Sequence, residues 1–288
     1  MYINQINNFL SSYENITKDE FLKALQYSNN TNNSWLKREE RDFLITLILI
    51  KFSEKYPDLI LKWWTNLNKI YFPKLRLAEN LSFSINTDFW QTARKKLLKE
   101  YETNFINDLA LLWIQLKDQR NKYDSYNLAK FAFEYNSIID DSAQTLYLEI
   151  SLKYNLLWSA HKWEFYSPNI YNINRDTSNG KHFVKCMSLN ETVAEKIRDA
   201  LTKKTPLYHD FYDIWYIKNN SGFDFEDIDF NKILFIKLKQ KDFKYTENYD
   251  EFKKYISSEI IVNNQNLDCN LDEIYEFLWK FKQKKWDN

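Results

Sequence analysis

The chain has 288 residues, of which 44% are hydrophobic and 18% aromatic, so it can bury a substantial core and is not an intrinsically disordered protein. Forty basic and forty acidic side chains cancel, so any binding to nucleic acid must come from a local patch and not from the surface as a whole. Only two cysteines and two glycines are present, which excludes a disulfide framework and the glycine-rich loops that cradle phosphates.

The first segment of the chain predicts a helix and contains no membrane signal. The predicted helix covers residues 18–54, and apolar side chains have dense helical spacing from Arg38 to Phe52. The apolar run FLITLILI at 43–50 is far too short to span a bilayer, and the polar N-terminal stretch lacks the basic and apolar regions of a secretory signal. We therefore expect a cytoplasmic protein with no membrane partner.

The middle of the chain predicts a few strands between helices. Strand patterns, either short apolar runs or two-residue alternation, occur at residues 58–64, 80–85 and 145–153. The intervening residues predict a short helix over 65–72 that ends at Pro73, a long helical region over 88–117, and helix and loop over 118–142.

The C-terminal part of the chain predicts helices alone. Ser188 and Glu191 have the spacing of a capping box at the start of one helix, and Thr205 with Pro206 is a favourable start for the next. Further helices are expected near residues 226–240, 246–261 and 271–284.

This order of elements predicts an α+β fold in two domains. The strands are too few and too widely spaced for a doubly wound sheet, and the composition changes near residues 186–190. We expect a domain with a small mixed sheet over 1–188, followed by a helical bundle domain over 189–288.

Two of the predicted strands carry polar side chains that are expected to meet on one face of a sheet. Positions two apart in a strand point to the same face, so Asn80 and Ser82 share a face, and Glu149 lies on the more polar face of its own strand. Several nucleotidyl-transfer enzymes hold two Mg²⁺ ions with carboxylates at this spacing and a third carboxylate from a neighbouring strand. Here the first two positions are neutral.

Four blocks of the sequence resemble a known family in order and spacing. The first blocks lie within ERDFLITLILIKFSEKYPDLILKWWTNLNKIYFPKLRLAENLSFSI at residues 40–85, and the others are LEISLK at 148–153 and ETVAEKIRDALTKKTPLYHDFYDIWYI at 191–217. They are similar to the core of the AbiEii/AbiGii-type toxin nucleotidyltransferases. The positions that match that pattern are Asp42, Thr65, Leu67, Tyr71, Arg76, Glu79, Phe83, Glu195, Lys196, Arg198, Asp210, Tyr212 and Asp213.

The resemblance extends from about residue 38 to about residue 220. It implies a nucleotidyltransferase-like domain that transfers a nucleotide from an NTP to an acceptor. In related toxins this acceptor is the 3′ end of tRNA. It implies Mg²⁺ and NTP as cofactors, and NTP, tRNA or other RNA and a cognate antitoxin protein as partners. The implied nucleotide-binding residues are Thr65, Arg76, Asn80 and Ser82, and the implied catalytic residues are Glu149, Lys196, Asp210 and Asp213.

The chain departs from the family pattern at the positions that would bind the metal ion and the triphosphate. Trp63 and Trp64 replace paired glycines, and Asn80 and Ser82 replace two metal-binding aspartates. Indole side chains obstruct the space in which backbone N–H groups approach a triphosphate, and neutral oxygens are poor ligands for Mg²⁺. We therefore expect no strong metal site and a nucleotidyl-transfer activity that is lost or strongly altered.

Each of these residues also has a simpler interpretation. The two tryptophans fill a closed site or core, or else stack on a base. Lys196 is an ordinary residue of an exposed helical face, or else faces the nucleotide as the family implies. Asp210 and Asp213 are favourable charges near a helix N-terminus, or else a polar cluster with Asp210 as base or orienting group.

Three hypotheses for the function remain open at the level of the sequence. The protein is a catalytically silent relative that binds NTP, RNA or a protein partner. Alternatively, it is an active toxin that modifies tRNA with Glu149, Lys196 and Asp210 in a rearranged site. The third possibility is a structural protein-interaction module, which predicts that the strands near 58–85 and 145–153 do not share a sheet.

Overall fold

The structure, a computed structural model, describes residues 33–73, 75, 77–87, 89–110, 112, 114–116, 122–124, 127–152, 156–165, 182–202, 208–240 and 270–283. The predicted helix near 246–261, the helix start at Thr205 and the candidate site residue Arg76 lie outside the described residues. The chain divides into two compact units, the first comprising Met1–Leu156 with Ala160–Cys186 and the second Leu157–Ser159 with Met187–Asn288.

The first unit is built around one mixed sheet. Its elements in chain order are α1 (Asn33–Lys55), β1 (Ile60–Leu61), α2 (Trp63–Asn66) with a π-helical continuation over Leu67–Tyr71, β2 (Asn80–Ser84), α3 (Gln91–Ala110), β3 (Gln115–Leu116), β4 (Lys122–Asp124), β5 (Leu128–Asn136), β6 (Ala143–Ser151), β7 (His161–Phe165) and β8 (His182–Cys186). The strand order is β3-β5-β6-β2-β1-β8-β7, and β4 also pairs with β5. The β2–β6 and β1–β8 pairs are parallel, and the other pairs are antiparallel.

One face of the sheet forms the core because apolar residues alternate along its central strands. Leu81 and Phe83 of β2 lie beside Leu148 and Ile150 of β6, and all four are buried. Apolar side chains of α1 and α3 complete the same cluster, including the stacked rings of Phe52 and Phe105, whose centroids are 4.4 Å apart. Burying this stripe fixes the register of β2, since a one-residue slip would expose it.

The α+β class is confirmed, but the sheet is larger than the three predicted strands. Residues 118–142 were expected to be helix and loop, and that expectation is wrong: β4, β5 and the start of the turn to β6 lie there. In β5 the side chains of Ala129, Phe131, Phe133 and Tyr135 are buried, whereas those between them are exposed or half-buried. The alternation has the period of a strand with one buried face.

The second unit is helical in its described residues. It contains α4 (Leu189–Thr202), α5 (Tyr208–Asn220), α6 (Ile228–Lys239) and α7 (Leu271–Gln283), and α4 packs against the other three. Every residue of α4 from Glu191 to Thr202 is buried. No helix in the described ranges has the length and apolar character needed to cross a bilayer.

The predicted capping box at the start of α4 is only half formed. The Ser188 hydroxyl oxygen accepts a hydrogen bond from the Glu191 backbone N–H at 3.3 Å, as a helix N-cap should. The Glu191 carboxylate instead accepts hydrogen bonds from the backbone N–H groups of Leu157 and Trp158, at 2.9 and 3.2 Å. The acidic side chain therefore ties residues 157–159 to the helical unit.

Candidate functional site

The parallel pairing of β2 with β6 brings the predicted sheet residues together. Ser82 is the register partner of Glu149, and Asn80 is the partner of Tyr147. Because side chains of partner residues point to the same face, Asn80, Ser82 and Glu149 share the face opposite Leu81 and Phe83. Asn80 is exposed, whereas Ser82 and Glu149 are half-buried. The hypothesis of a structural protein-interaction module predicted that these strands do not share a sheet, and the pairing of β2 with β6 contradicts that prediction.

The two tryptophans are the first residues of α2, at the turn by which the chain leaves β1. Trp63 has a φ of 55°, in the left-handed region that glycine adopts without steric cost. Both tryptophans are half-buried, and the Lys62 ammonium lies 3.9 Å from the Trp63 ring centroid. The turn thus has a backbone suited to glycine, while an indole occupies the space that glycine would leave open.

Thr65 holds this turn against β2. Its hydroxyl donates a hydrogen bond of 2.5 Å to the Asn80 backbone carbonyl, and the Lys62 N–H donates one of 3.0 Å to the Ser82 carbonyl. Thr65 is buried, with 1% of its surface exposed. Its observed contact is therefore with the protein backbone, and its predicted role in nucleotide binding remains a prediction.

Asp42, another residue that matches the family pattern, anchors the segment that leads into β2. Its carboxylate accepts a hydrogen bond of 2.7 Å from the Ala78 N–H and forms an ion pair of 2.6 Å with Lys69. Both side chains of this pair are buried. The pair fixes the π-helical segment and the approach to β2 relative to α1, which positions Asn80 and Ser82.

The oxygen atoms at the polar face do not fit a divalent metal ion of the Mg²⁺ type. The three aligned positions offer an amide from Asn80, a hydroxyl from Ser82 and one carboxylate from Glu149. Mg²⁺ demands near-ideal octahedral geometry and is usually held in proteins through carboxylates and substrate phosphates. Across the part of the chain that the structure describes, no group of three or more His, Cys, Asp or Glu side chains could hold a metal ion.

Cys186, on the strand that pairs with β1, is not placed to act as a nucleophile. Cys186 ends β8 and is buried, and burial raises the pKa of its thiol to about 12, although a hydrogen bond with Tyr71 acts in the opposite direction. The thiolate is the reactive form of cysteine, so this side chain is inert near neutral pH.

Lys130 was missed in the sequence because its segment was not expected to be a strand. It is the register partner of Glu149 on β5, and its side chain is exposed. Its ammonium lies 4.6 Å from the ring centroid of Tyr147 on β6. The two-residue alternation of LAKFAFEYN is the signal that could have identified it.

The other three predicted catalytic residues form a second cluster within the helical unit. The Lys196 ammonium on α4 lies 2.8 Å from an Asp210 carboxylate oxygen and 3.1 Å from an Asp213 carboxylate oxygen, both on α5. All three side chains are buried. The interpretation of Lys196 as a residue of an exposed helical face is therefore wrong.

Further buried ion pairs extend this cluster along α4. Lys237 of α6 is fully buried and lies 2.6 Å from Glu191 and 2.9 Å from Glu195. Arg198 lies 2.9 Å from Asp199, and both are buried. Charged groups are rarely buried unless they are paired, so these contacts explain how a helix with so many charges can sit inside the unit.

The candidate residues thus form two groups. Thr65, Asn80, Ser82 and Glu149 meet in the sheet unit, and Lys196, Asp210 and Asp213 meet in the helical unit. The geometry defines their neighbours, and their catalytic and binding roles remain predictions.

Comparisons with known proteins agree with this architecture. The AbiEii family model, described as a nucleotidyl transferase AbiEii toxin of a type IV toxin–antitoxin system, matches residues 50–268. No curated protein sequence is significantly similar to the chain.

Two solved structures have a similar fold at low sequence identity. MenT4, a nucleotidyltransferase toxin from Mycobacterium tuberculosis H37Rv, is 13% identical with a TM-score of 0.58, and the alignment covers 90% of this chain and 93% of MenT4. JHP933 from Helicobacter pylori is 16% identical with a TM-score of 0.51, and the alignment covers 86% of this chain and 90% of that protein.

Proposed function

Because the chain belongs to the AbiEii family of nucleotidyl transferase toxins, we propose that it binds a nucleoside triphosphate or RNA and has lost, or retains only weakly, nucleotidyl transfer. The observation that carries this proposal is the set of side chains at the β2–β6 pair. Asn80 and Ser82 supply neutral oxygens where the family pattern has two aspartates, and Glu149 is the one carboxylate aligned with them. A single carboxylate gives Mg²⁺ a much weaker site than three would.

Two further features support a loss of activity. The Trp63 indole takes up space at the turn where the family pattern has glycines, which narrows the approach of a triphosphate to the backbone. The Lys196 ammonium is held between the Asp210 and Asp213 carboxylates, so its positive charge is already engaged within the helical unit.

The proposal is tested by restoring the family residues. Wild-type protein and the variant Asn80→Asp/Ser82→Asp/Trp63→Gly/Trp64→Gly are incubated with tRNA, Mg²⁺ and each α-labelled NTP, and transfer of label to RNA is measured. We expect label only with the restored variant, and Glu149→Gln in that background should remove it. Labelling by the wild-type chain in the presence of Mg²⁺ would refute the loss of activity.

The competing function is active transfer to tRNA by a rearranged site that uses Glu149, Lys196 and Asp210. The observation in its favour is the short contact between Lys196 and Asp210, which would orient a carboxylate for proton abstraction. If wild-type protein labels RNA, and Asp210→Asn removes that labelling at a temperature at which circular dichroism shows the variant to be folded, this function replaces the first.

Nucleotide binding is measured separately from transfer. A ligand that binds only the folded chain raises its thermal midpoint by mass action, so a thermal shift with each NTP, with and without Mg²⁺, is the direct measurement. We also propose a cognate antitoxin as protein partner, a cytoplasmic location, and a functional boundary between residues 188 and 189.

A further inference from the structure

A lysine and an aromatic ring form an exposed pair beside the polar residues of β2 and β6. Lys130 and Tyr147 lie diagonally on adjacent strands, and the ammonium is 4.6 Å from the ring centroid. Tyr147 keeps 40% of its surface exposed despite this contact. Ring surface therefore remains available to a planar group from solvent.

The two residues of the pair belong to two adjacent rows of side chains across β5, β6 and β2. Lys130 is the register partner of Glu149, and Glu149 is the partner of Ser82; Tyr147 is the partner of Asn80. These partners share one face of the sheet, so a cation, an aromatic ring, a carboxylate and two neutral polar groups lie within two adjacent rows. A nucleotide carries groups that complement these side chains: a phosphate for the cation, a base for the aromatic ring, and hydroxyl or amino groups for the polar oxygens.

We propose that Lys130 and Tyr147 form a metal-independent nucleotide site, in which a base stacks on Tyr147 and a phosphate meets the Lys130 ammonium. The inference rests on the proposed function, since it names the site at which a silent family member would hold its ligand. At the same face the exposed Asn80 side chain offers an amide oxygen that accepts hydrogen bonds from ribose hydroxyls or base amino groups. A bare phosphate lacks these donors and the base.

The chemistry of the site explains why it does not depend on a metal. An ammonium is a compact point charge that pairs with phosphate without a fixed coordination geometry, so it supplies positive charge where Asn80 and Ser82 do not hold Mg²⁺ well. Stacking of a base on an aromatic ring is favourable for every base. The ligand is thus a nucleotide unit, either from a free NTP or from single-stranded RNA, and the two sources are separated by experiment.

Binding is measured in EDTA with two probes, ATP by calorimetry and a fluorescein-labelled single-stranded oligoadenylate by anisotropy. We expect wild-type protein to bind at least one probe without Mg²⁺. Tyr147→Leu should weaken binding roughly ten-fold, Lys130→Gln roughly several-fold, and Tyr147→Phe little, since the ring is kept. Binding of ATP identifies the free nucleotide as the ligand, and binding of the oligonucleotide alone identifies RNA.

The chain contains a matched control on the same sheet. The Lys162 ammonium lies 5.5 Å from the Phe183 ring centroid on β7 and β8, at the opposite end of the strand order from β5. Lys162→Gln and Phe183→Leu remove the same kinds of groups and should leave binding unchanged. All the substituted side chains are exposed, so circular dichroism and the thermal midpoint should match those of the wild type.

The outcomes separate this inference from the proposed function. If wild-type protein binds but the Lys130 and Tyr147 variants bind equally well, or if the control variants lose as much affinity, the site is wrong and the proposed function stands. Binding that requires Mg²⁺, or the absence of binding to both probes, also overturns the site. If the variants behave as expected while wild-type protein labels RNA with Mg²⁺, the site stands and the loss of activity is wrong.

Discussion

The backbone of Trp63 is the most informative feature at the scale of a single residue. A left-handed φ of 55° is costly for a residue with a Cβ, by about 1 kcal/mol or more, and bulky side chains rarely adopt it. The hydrogen bonds of Lys62 and Thr65 to β2 hold the chain on both sides of this residue. Trp63 therefore has a backbone conformation that suits glycine, between two residues that are tied to β2.

This strain predicts an unusual order of stability between two substitutions. Trp63→Ala and Trp63→Gly both lose the indole, so their difference isolates the backbone. We expect the glycine variant to have a higher free energy of unfolding than the alanine variant, by about 0.5–1 kcal/mol, because alanine retains the steric cost at positive φ. Urea denaturation of the two variants measures the difference.

The neighbouring position is the control for this measurement. Trp64 lies within α2, and its φ is not positive. There the order should reverse, with Trp64→Ala more stable than Trp64→Gly by about 0.5–1 kcal/mol, because glycine is unfavourable inside a helix. An alanine variant that is as stable as the glycine variant at position 63 would contradict the strain.

At the scale of elements, the sequence predicted the strands that build the site. The alternation of residues 80–85 and 145–153 identified β2 and β6 to within two residues at each end and placed Asn80, Ser82 and Glu149 on their polar faces. Period-two alternation is a local property, so it can be recognised without knowing the partner strand.

What the sequence did not predict depends on contacts between distant residues. β5 was missed because Ala129, Lys130 and Glu134 also occur readily in helices, so its two-residue alternation competed with a helical interpretation that the pairing with β6 resolves. The burial of α4 was missed because the partner of Glu191 and Glu195 is Lys237, more than forty residues further on. Charged residues at helical spacing usually face solvent, and nothing in the sequence near α4 indicates that its charged residues are buried.

The buried ion pairs make α4 sensitive to single substitutions. Lys237→Met fills a similar volume but removes the cation between two buried carboxylates, Glu191 and Glu195. Removing one partner from a buried charge network is strongly destabilising, so we expect the free energy of unfolding to fall by about 3–5 kcal/mol. Chemical denaturation monitored by the helical signal of circular dichroism measures this loss.

A lysine on the exposed side of the same helix is the matched control. Lys232 pairs with Asp229 at 3.1 Å, and their side chains are 68% and 54% exposed. Lys232→Met should change the free energy of unfolding by less than about 0.5 kcal/mol, because exposed ion pairs contribute little. Equal effects of the two substitutions would mean that burial does not decide the role of Lys237.

At the scale of the whole molecule, the charge balance limits how the protein can bind RNA. Forty basic and forty acidic residues leave no net charge, so the molecule as a whole does not attract a polyanion over long distances. The affinity for RNA must then arise from a few local contacts, such as the exposed Lys130 beside Tyr147. Stacking of a base on the ring does not depend on salt, whereas each lysine–phosphate contact weakens as the salt concentration rises.

This balance predicts a shallow dependence of RNA affinity on salt. For single-stranded nucleic acid the logarithm of the binding constant falls with the logarithm of salt concentration, with a slope of about −0.7 for each neutralised phosphate. With one or two such contacts, the wild-type protein should show a slope between about −0.7 and −1.4. Lys130→Gln should bring the slope closer to zero by about 0.7, while Lys162→Gln leaves it unchanged. Anisotropy titrations of the labelled oligoadenylate at several salt concentrations give the slopes. A wild-type slope steeper than about −4 would instead require a broad basic surface, and the local site at Lys130 could not account for it.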